Sequence, residues 1–297
     1  MRLPDQVLNT VCFIAKSAAK DSYRATGFIA SVAGAHGNAY LYLATAKHVA
    51  ASVAWEPFII GFNTTQGAKG RFEVNYDPDQ PHKWWYHPTE PNAVDVAVFP
   101  FGPTEYQSLD IEWIHYPNMF ATPEIIADTG IGIGDEIAAI GLFTSFSGTN
   151  RHFPIVRIGN LAMLPTERVP VKEFDPMEVY LAEGRSIGGL SGSPVFVRQT
   201  VNATIPGADG KQVPFAGTGQ IYFLGLIHGH WNLPVSLERS SQAEAVNMGI
   251  SIVVPAHKIA EVLNHPELVE QRRQQDVLVL KEKPPSNTGQ QSRDTPT

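Results

Sequence analysis

The sequence predicts an all-β fold, either a sandwich or a barrel, from two observations. Short apolar runs rich in Val, Ile, Phe and Tyr alternate with turn residues, and none of these runs keeps a helical period over ten positions. The chain also contains 25 glycines and 23 prolines, which favour many short strands and turns over a helical bundle. The predicted strands are 11–15, 27–32, 40–44, 58–62, 94–99, 136–142, 155–158, 179–182, 194–197, 222–227 and 250–254.

Composition narrows the class of protein. The 43% of hydrophobic residues among 297 supply a core, which excludes global disorder. A net charge of −7 makes nucleic acid or anionic lipid a poor partner. The single cysteine, Cys12, cannot form an internal disulfide, as is typical of a reducing compartment. No apolar run matches a signal peptide or a membrane span, so we expect a soluble, cytoplasmic protein.

The pattern changes towards the C-terminus. An apolar face at helical spacing predicts a helix over 256–263. A proline is expected to begin a second helix over 266–275, and 277–280 are expected to form a terminal strand. Residues 281–297 contain no large apolar residue, so the sequence predicts a disordered tail there.

The strongest signal for chemistry is the segment Gly-Leu-Ser-Gly-Ser-Pro at 189–194. A tight glycine-rich turn can expose the hydroxyl of Ser191 and direct nearby backbone N–H groups at one point. Acyl transfer needs both features, because the serine attacks a carbonyl carbon and the amides hold the developing oxyanion. Taken alone, the segment is equally compatible with an ordinary hairpin turn of small residues.

Two further residues become informative beside this serine. His48 follows the predicted strand 40–44, where a histidine can face a cleft, although alone it fits a structural or surface role better than a catalytic one. Asp95 lies inside an apolar run, where a carboxylate is costly unless it is paired. A histidine N–H is a suitable partner and would fix the ring tautomer. The alternative is an aspartate on an edge strand that faces water.

The order His48, Asp95, Ser191 is that of chymotrypsin-like enzymes and differs from the order in subtilisins and α/β-hydrolases. With these residues, the sequence resembles a trypsin-like (chymotrypsin-fold) serine peptidase of the disulfide-free microbial type. Segment 25–29 resembles the family's early strand, and segment 248–255 resembles its closing strand before a C-terminal helix.

The resemblance implies two antiparallel six-stranded β-barrels followed by a C-terminal helix. The N-terminal barrel, 1–121, would carry His48 and Asp95, and the C-terminal barrel, 122–255, would carry Ser191. Residues 256–280 would form the helix and short strand, and 281–297 the tail.

The resemblance also implies the chemical roles. Ser191 is expected to be the nucleophile, His48 the general base and then acid, and Asp95 the group that orients and stabilises His48. The backbone amides of Gly189 and Ser191 would form the oxyanion hole. The expected partner is a protein or peptide substrate, and no cofactor or metal is expected.

Two departures bear on activation and specificity. Secreted relatives have an acid before the nucleophile that pairs with a newly cut N-terminus. Leu190 cannot do so, and we expect no such activation step. Arg185 lies near the expected floor of the pocket for the residue before the scissile bond, where it would favour an acidic side chain. Alternatively, Arg185 points to solvent and pairs with Glu183.

His228 and His230 align with the strand that forms a wall of this substrate pocket. Glutamate-specific relatives have a histidine on this wall, but His228 lies one position later, so it could instead hydrogen-bond Asp95. The pair could also bind a metal, although the sequence offers no third ligand in register.

Three other features of the sequence bear on the candidate site. The aromatic segment 81–88 either borders the substrate cleft or closes the end of the first barrel, as tryptophans more often do. Ser186 and Ser193 resemble candidate nucleophiles but are not expected to act as one, and the Ser193 hydroxyl is expected to be incidental. Residues 201–219 are expected to be a hairpin insertion. Besides a peptidase, the sequence is compatible with a catalytically silent peptide-binding module, or with an esterase that uses the same triad.

Overall fold

The architecture comes from a computed structural model. It describes residues 2–19, 22–79, 82–102, 106–184, 188–206, 211–235 and 244–282. Within these ranges the chain forms two β-sheet bodies and a small hairpin, with helices at their edges and at the C-terminus. None of these helices combines the length and the apolar character that a transmembrane segment requires.

The N-terminal half forms one sheet of eight strands. They are β1 Val11–Lys16, β2 Ala25–Ala33, β3 Ala39–Thr45, β4 Phe58–Asn63, β5 Lys69–Val74, β6 Trp85–Tyr86, β7 Ala97–Pro100 and β8 Ile114–Tyr116. The order is β5-β4-β1-β2-β3-β7-β6, and β8 pairs in parallel with β2. The central strands β1 and β2 are buried along almost their whole length, which explains their continuous apolar composition.

The C-terminal half forms a closed six-stranded barrel. Its strands are β9 Glu136–Gly141, β10 Ile155–Met163, β11 Tyr180–Glu183, β12 Pro194–Arg198, β15 Ile221–Val235 and β16 Glu244–Pro255, in the order β10-β11-β16-β15-β12-β9. Between β12 and β15, the expected insertion forms a hairpin of β13 Asn202–Pro206 and β14 Gln212–Ala216. Phe28 of the sheet packs against Phe223 of the barrel, with ring centroids 5.1 Å apart, so one core joins the two halves.

The fold class that the sequence predicts is therefore confirmed, with one difference in the N-terminal half. Seven of its eight strands form an open path and β8 pairs with β2 off that path, whereas a closed barrel of six was expected. The path ends at β5 and β6, and in the described registers β5 pairs with β4 and β6 with β7 but the two do not pair with each other. The domain boundary at residue 121 stays a prediction.

Five α-helices lie in the described ranges. They are α1 Asp5–Leu8, α2 Lys47–Val53, α3 Pro123–Thr129, α4 Ala256–Leu263 and α5 Pro266–Glu282. The predicted strand at 277–280 is wrong, because α5 continues through these residues. Leu268, Arg272 and Asp276 recur every four residues, and the first two are buried while Asp276 accepts a hydrogen bond from Tyr40. These contacts hold the chain in helical register against β3. Residues 283–297 of the expected tail lie outside the described residues.

Candidate active site

His48 and Asp95 meet at the start of helix α2. Strand β3 ends at Thr45, and α2 begins at Lys47, so His48 lies in the first helical turn. Asp95 was expected inside a strand, which is wrong, because β7 begins only at Ala97. Residues 94–96, just before β7, do not pair with any strand that the structure describes, and they place the Asp95 carboxylate at the N-terminus of α2.

Asp95 accepts three hydrogen bonds. Its Oδ1 accepts from the backbone N–H of His48 at 3.0 Å, and its Oδ2 accepts from Nδ1 of His48 at 2.8 Å. The same Oδ2 accepts from Nδ1 of His228 at 2.5 Å. The residue is 0% exposed. Burial alone would raise the pKa of this carboxyl, but hydrogen bonds from His228 and His48 outweigh burial and hold the pKa well below its usual range. Asp95 is therefore a buried carboxylate anion.

The exposure of His48 differs sharply from that of its partner. Its side chain is 41% exposed, while that of Asp95 is 0% exposed. Because Nδ1 of His48 donates to Asp95, the neutral ring has its basic lone pair on Nε2. The tautomer required of a general base is thus set by a buried anion.

The structure confirms the alternative prediction for His228, which hydrogen-bonds Asp95. The register of β15 against β16 shifts between Ile227 and Gly229, and such a bulge redirects a side chain. The His228 ring stands edge-on to Phe174 at 5.2 Å and to His48 at 5.6 Å. The sequence shows no third metal ligand beside His228 and His230. The structure instead brings His228 together with His48 and Asp95.

The turn at residues 189–194, here named the nucleophile turn after the role expected of Ser191, is held by threonine and glycine contacts. Gly189 and Gly192 have positive φ angles of 98° and 81°, which favour glycine. A Cβ atom at Gly192 would lie 2.2 Å from the carbonyl oxygen of Thr26, so a larger residue does not fit. Thr26 donates from its backbone N–H to the Ser191 carbonyl at 3.1 Å, and from Oγ1 to the Gly189 carbonyl at 2.7 Å.

Ser191 joins this group through His228. Its hydroxyl donates to the carbonyl oxygen of His228 at 3.3 Å, and in the described part of the chain it makes no hydrogen bond to the His48 ring. Ser191 is half-buried, whereas Ser193 is 0% exposed. Of these two serines, only Ser191 is accessible to a substrate. Among the described residues, the backbone amides of Gly189 and Ser191 donate no hydrogen bond.

Sequence analysis missed Thr26. Its hydroxyl also accepts from the backbone N–H of Leu142 at 2.9 Å, so this 0% exposed side chain joins β2 to the barrel and to the nucleophile turn. The available signal was a threonine within an apolar strand, since a buried polar group must be paired.

Other expected site features have mixed outcomes. Arg185 and Ser186 lie outside the described residues. His230 lies on β15 and is half-buried, and its place in a substrate pocket stays a prediction. Trp84 and Trp85 are 5% and 7% exposed and belong to the main hydrophobic core, which supports their interpretation as core residues.

Comparison with solved structures finds 256 similar chains, including the following three. Deg5 has a TM-score of 0.46 and 15% identity, over 86% of this chain and 87% of that one. Rv3671c from M. tuberculosis H37Rv, a serine-to-alanine mutant in an inactive form, has a TM-score of 0.42 and 14% identity, over 86% of both chains. The HtrA-type protease AlgW with a decapeptide has a TM-score of 0.45 and 14% identity, over 84% of this chain and 53% of that one. The sequence matches no family model and is not significantly similar to any curated protein.

Proposed function

We propose that this protein is a serine endopeptidase that uses His48, Asp95 and Ser191. The observation that carries the proposal is the buried carboxylate of Asp95, which accepts from both the backbone and the ring of His48 at 3.0 and 2.8 Å. Holding one face of an exposed imidazole this firmly favours proton transfer at the opposite nitrogen, Nε2.

The proposed reaction starts at Ser191. Its Oγ transfers a proton to Nε2 of His48 and forms a bond to the substrate carbonyl carbon, while the amides of Gly189 and Ser191 bind the oxyanion. His48 then gives the proton to the leaving amine, and the C–N bond breaks to leave an acyl-enzyme. In the second step, a water molecule gives a proton to His48 and attacks the carbonyl carbon of the acyl-enzyme. The bond to Oγ of Ser191 breaks, Oγ takes the proton back from His48, and the carboxylic acid product is released. Asp95 stays ionised and stabilises the cationic ring.

An extended peptide is the substrate that the strand pairing favours. Strand β12 pairs with β15 up to Leu226, and Ile227 bonds to the nucleophile turn through Ser193 and Gly192. In the described registers, β15 beyond residue 227 pairs with β16, and its opposite edge begins beside Ser191, whose hydroxyl donates to the His228 carbonyl. A peptide added to that edge would place a backbone carbonyl at the serine.

The binding-module alternative is kept because of one observation. The Ser191 hydroxyl donates to the carbonyl of His228 and must rotate to reach His48 before any reaction. Hydrogen bonds between catalytic residues are often long without substrate, so a rotation of this kind is compatible with turnover. If substrate binding does not cause the Ser191 hydroxyl to rotate towards His48, the cleft binds peptide without cleaving it.

The test is a parallel assay of a casein-like protein, peptides and small esters with the wild type, Ser191→Ala and Ser193→Ala. We expect the wild type to cleave protein and peptide, Ser191→Ala to be inactive, and Ser193→Ala to remain active. Ester hydrolysis alone would support the esterase. Peptide binding without cleavage would support the binding module, and equal activity of Ser191→Ala would overturn the choice of nucleophile.

A further inference from the structure

We propose that His48, Asp95 and His228, here named the two-histidine cluster, form a binding site for Zn²⁺ that switches off the enzyme. The inference rests on the proposed function, because the ion would engage two of the proposed catalytic side chains. The third ligand, His228, has no part in the proton transfers of that function.

The first support is the donor set. Nδ1 of His48 and Nδ1 of His228 lie 2.8 and 2.5 Å from Oδ2 of Asp95, and one ligand atom from each of the three residues lies within 4.8 Å of the other two. Two imidazoles and one carboxylate are a common protein ligand set for zinc, with bonds of about 2.0–2.2 Å and water in the fourth position. Tetrahedral ligands at that bond length lie about 3.4 Å apart. Movements of the rings on the order of 1 Å would convert the present hydrogen-bonded arrangement into one with these ligand separations.

The second support is charge. Asp95 is 0% exposed and ionised, and among the described residues it makes no ion pair with lysine or arginine. Two imidazoles and one backbone amide are all that it faces there. A buried anion with so little positive charge around it favours a cation. The exposed His48 ring leaves a route from solvent to the cluster.

The tautomer explains why this ion would inhibit. Zn²⁺ takes the lone pair of Nδ1, so the proton of a neutral His48 ring moves from Nδ1 to Nε2. Nε2 then donates and has no lone pair to receive the Ser191 proton. The change affects the base and leaves the peptide-binding edge of β15 in place. We therefore expect zinc to lower kcat with little change in KM.

The test measures zinc chloride binding by calorimetry in three proteins, none of which turns over substrate. They are Ser191→Ala, Ser191→Ala/His228→Asn and Ser191→Ala/His230→Asn. The asparagine amide can still donate to Asp95 but is not a zinc ligand, and His230 is the matched histidine two residues along. We expect one ion per chain in the first and third proteins, and affinity at least about tenfold weaker in the second, equivalent to about 1.4 kcal/mol. Equal affinity in all three, or no saturable binding, would overturn the proposal.

An activity measurement separates this proposal from the proposed function. In the wild type, zinc should inhibit peptide cleavage over the concentration range in which it binds, and a chelator should restore the rate. An inactive wild type with His228-dependent zinc binding would remove the peptidase and retain the metal site. An active wild type that zinc neither binds nor inhibits would remove only the metal site.

Discussion

Replacing His228 with alanine tests how strongly the proposed catalytic carboxylate depends on its second histidine. The change removes one of three hydrogen bonds to a fully buried anion, and it is the shortest of the three at 2.5 Å. Removing a hydrogen bond to a charged group costs about 1.5–3 kcal/mol. If the whole of this loss falls on the transition state and none of it on the free enzyme, kcat/KM falls by at most about 10- to 150-fold.

The assay compares wild type, His228→Ala and His228→Asn on one peptide substrate. His228 contacts the carboxylate and not the substrate, so we expect the loss to appear in kcat with KM little changed. Asparagine places an amide donor near the position of Nδ1, and it should recover much of the rate. Denaturant unfolding of the same proteins should show a lower free energy of unfolding for the alanine variant.

Two results would refute this reasoning. If His228→Ala matches the wild type in both kcat and the free energy of unfolding, the contact between His228 and Asp95 contributes nothing. If His228→Ala and His228→Asn are equally impaired, the imidazole matters for a reason other than donation to the carboxylate.

Three further predictions concern other parts of the chain. Gly189→Ala should lower kcat by about 10²–10³-fold, measured by steady-state kinetics, because a side chain at φ 98° displaces a proposed oxyanion donor; an unchanged kcat would remove Gly189 from that role. Cys12 is 1% exposed and burial raises the pKa of its thiol, so thiol reagents should label it only after unfolding and leave activity intact; rapid labelling of folded protein would contradict this. Burial lowers the pKa of His257, so the unfolded chain binds more protons, and the free energy of unfolding should fall as pH drops through about 6.5. His257→Gln should show a smaller fall in denaturant titrations, and an identical pH dependence would contradict this.

Much of the fold follows from local sequence patterns. Apolar runs bounded by turn residues predict the central strands, because burial of both faces selects Val, Ile and Phe. Strand β5 is not predicted in this way, because its residues are half-buried or exposed and form only a weak apolar pattern. The continuation of α5 through 277–280 depends on contacts of Arg272 and Asp276 with β3, which no local pattern contains.

The candidate site divides in the same way. The cost of burying an unpaired carboxylate makes Asp95 a candidate, but only the order His48, Asp95, Ser191 makes the residues candidates together, and neither argument needs three-dimensional information. The direction of the His228 ring depends on a register shift between β15 and β16, so sequence leaves two alternatives open. The rotamer of the Ser191 hydroxyl is equally inaccessible, because it depends on where the His228 carbonyl lies.

The most direct test of the central claim is a crystal structure of the protein after reaction with a serine-directed peptidyl phosphonate. The account predicts a covalent bond from Oγ of Ser191 to phosphorus and one phosphonate oxygen about 2.7–3.1 Å from the amide nitrogens of Gly189 and Ser191. It also predicts Nε2 of His48 within hydrogen-bonding distance of the adduct, with Nδ1 still bonded to Asp95. An unmodified Ser191, or an adduct whose oxygen meets neither amide, would contradict it.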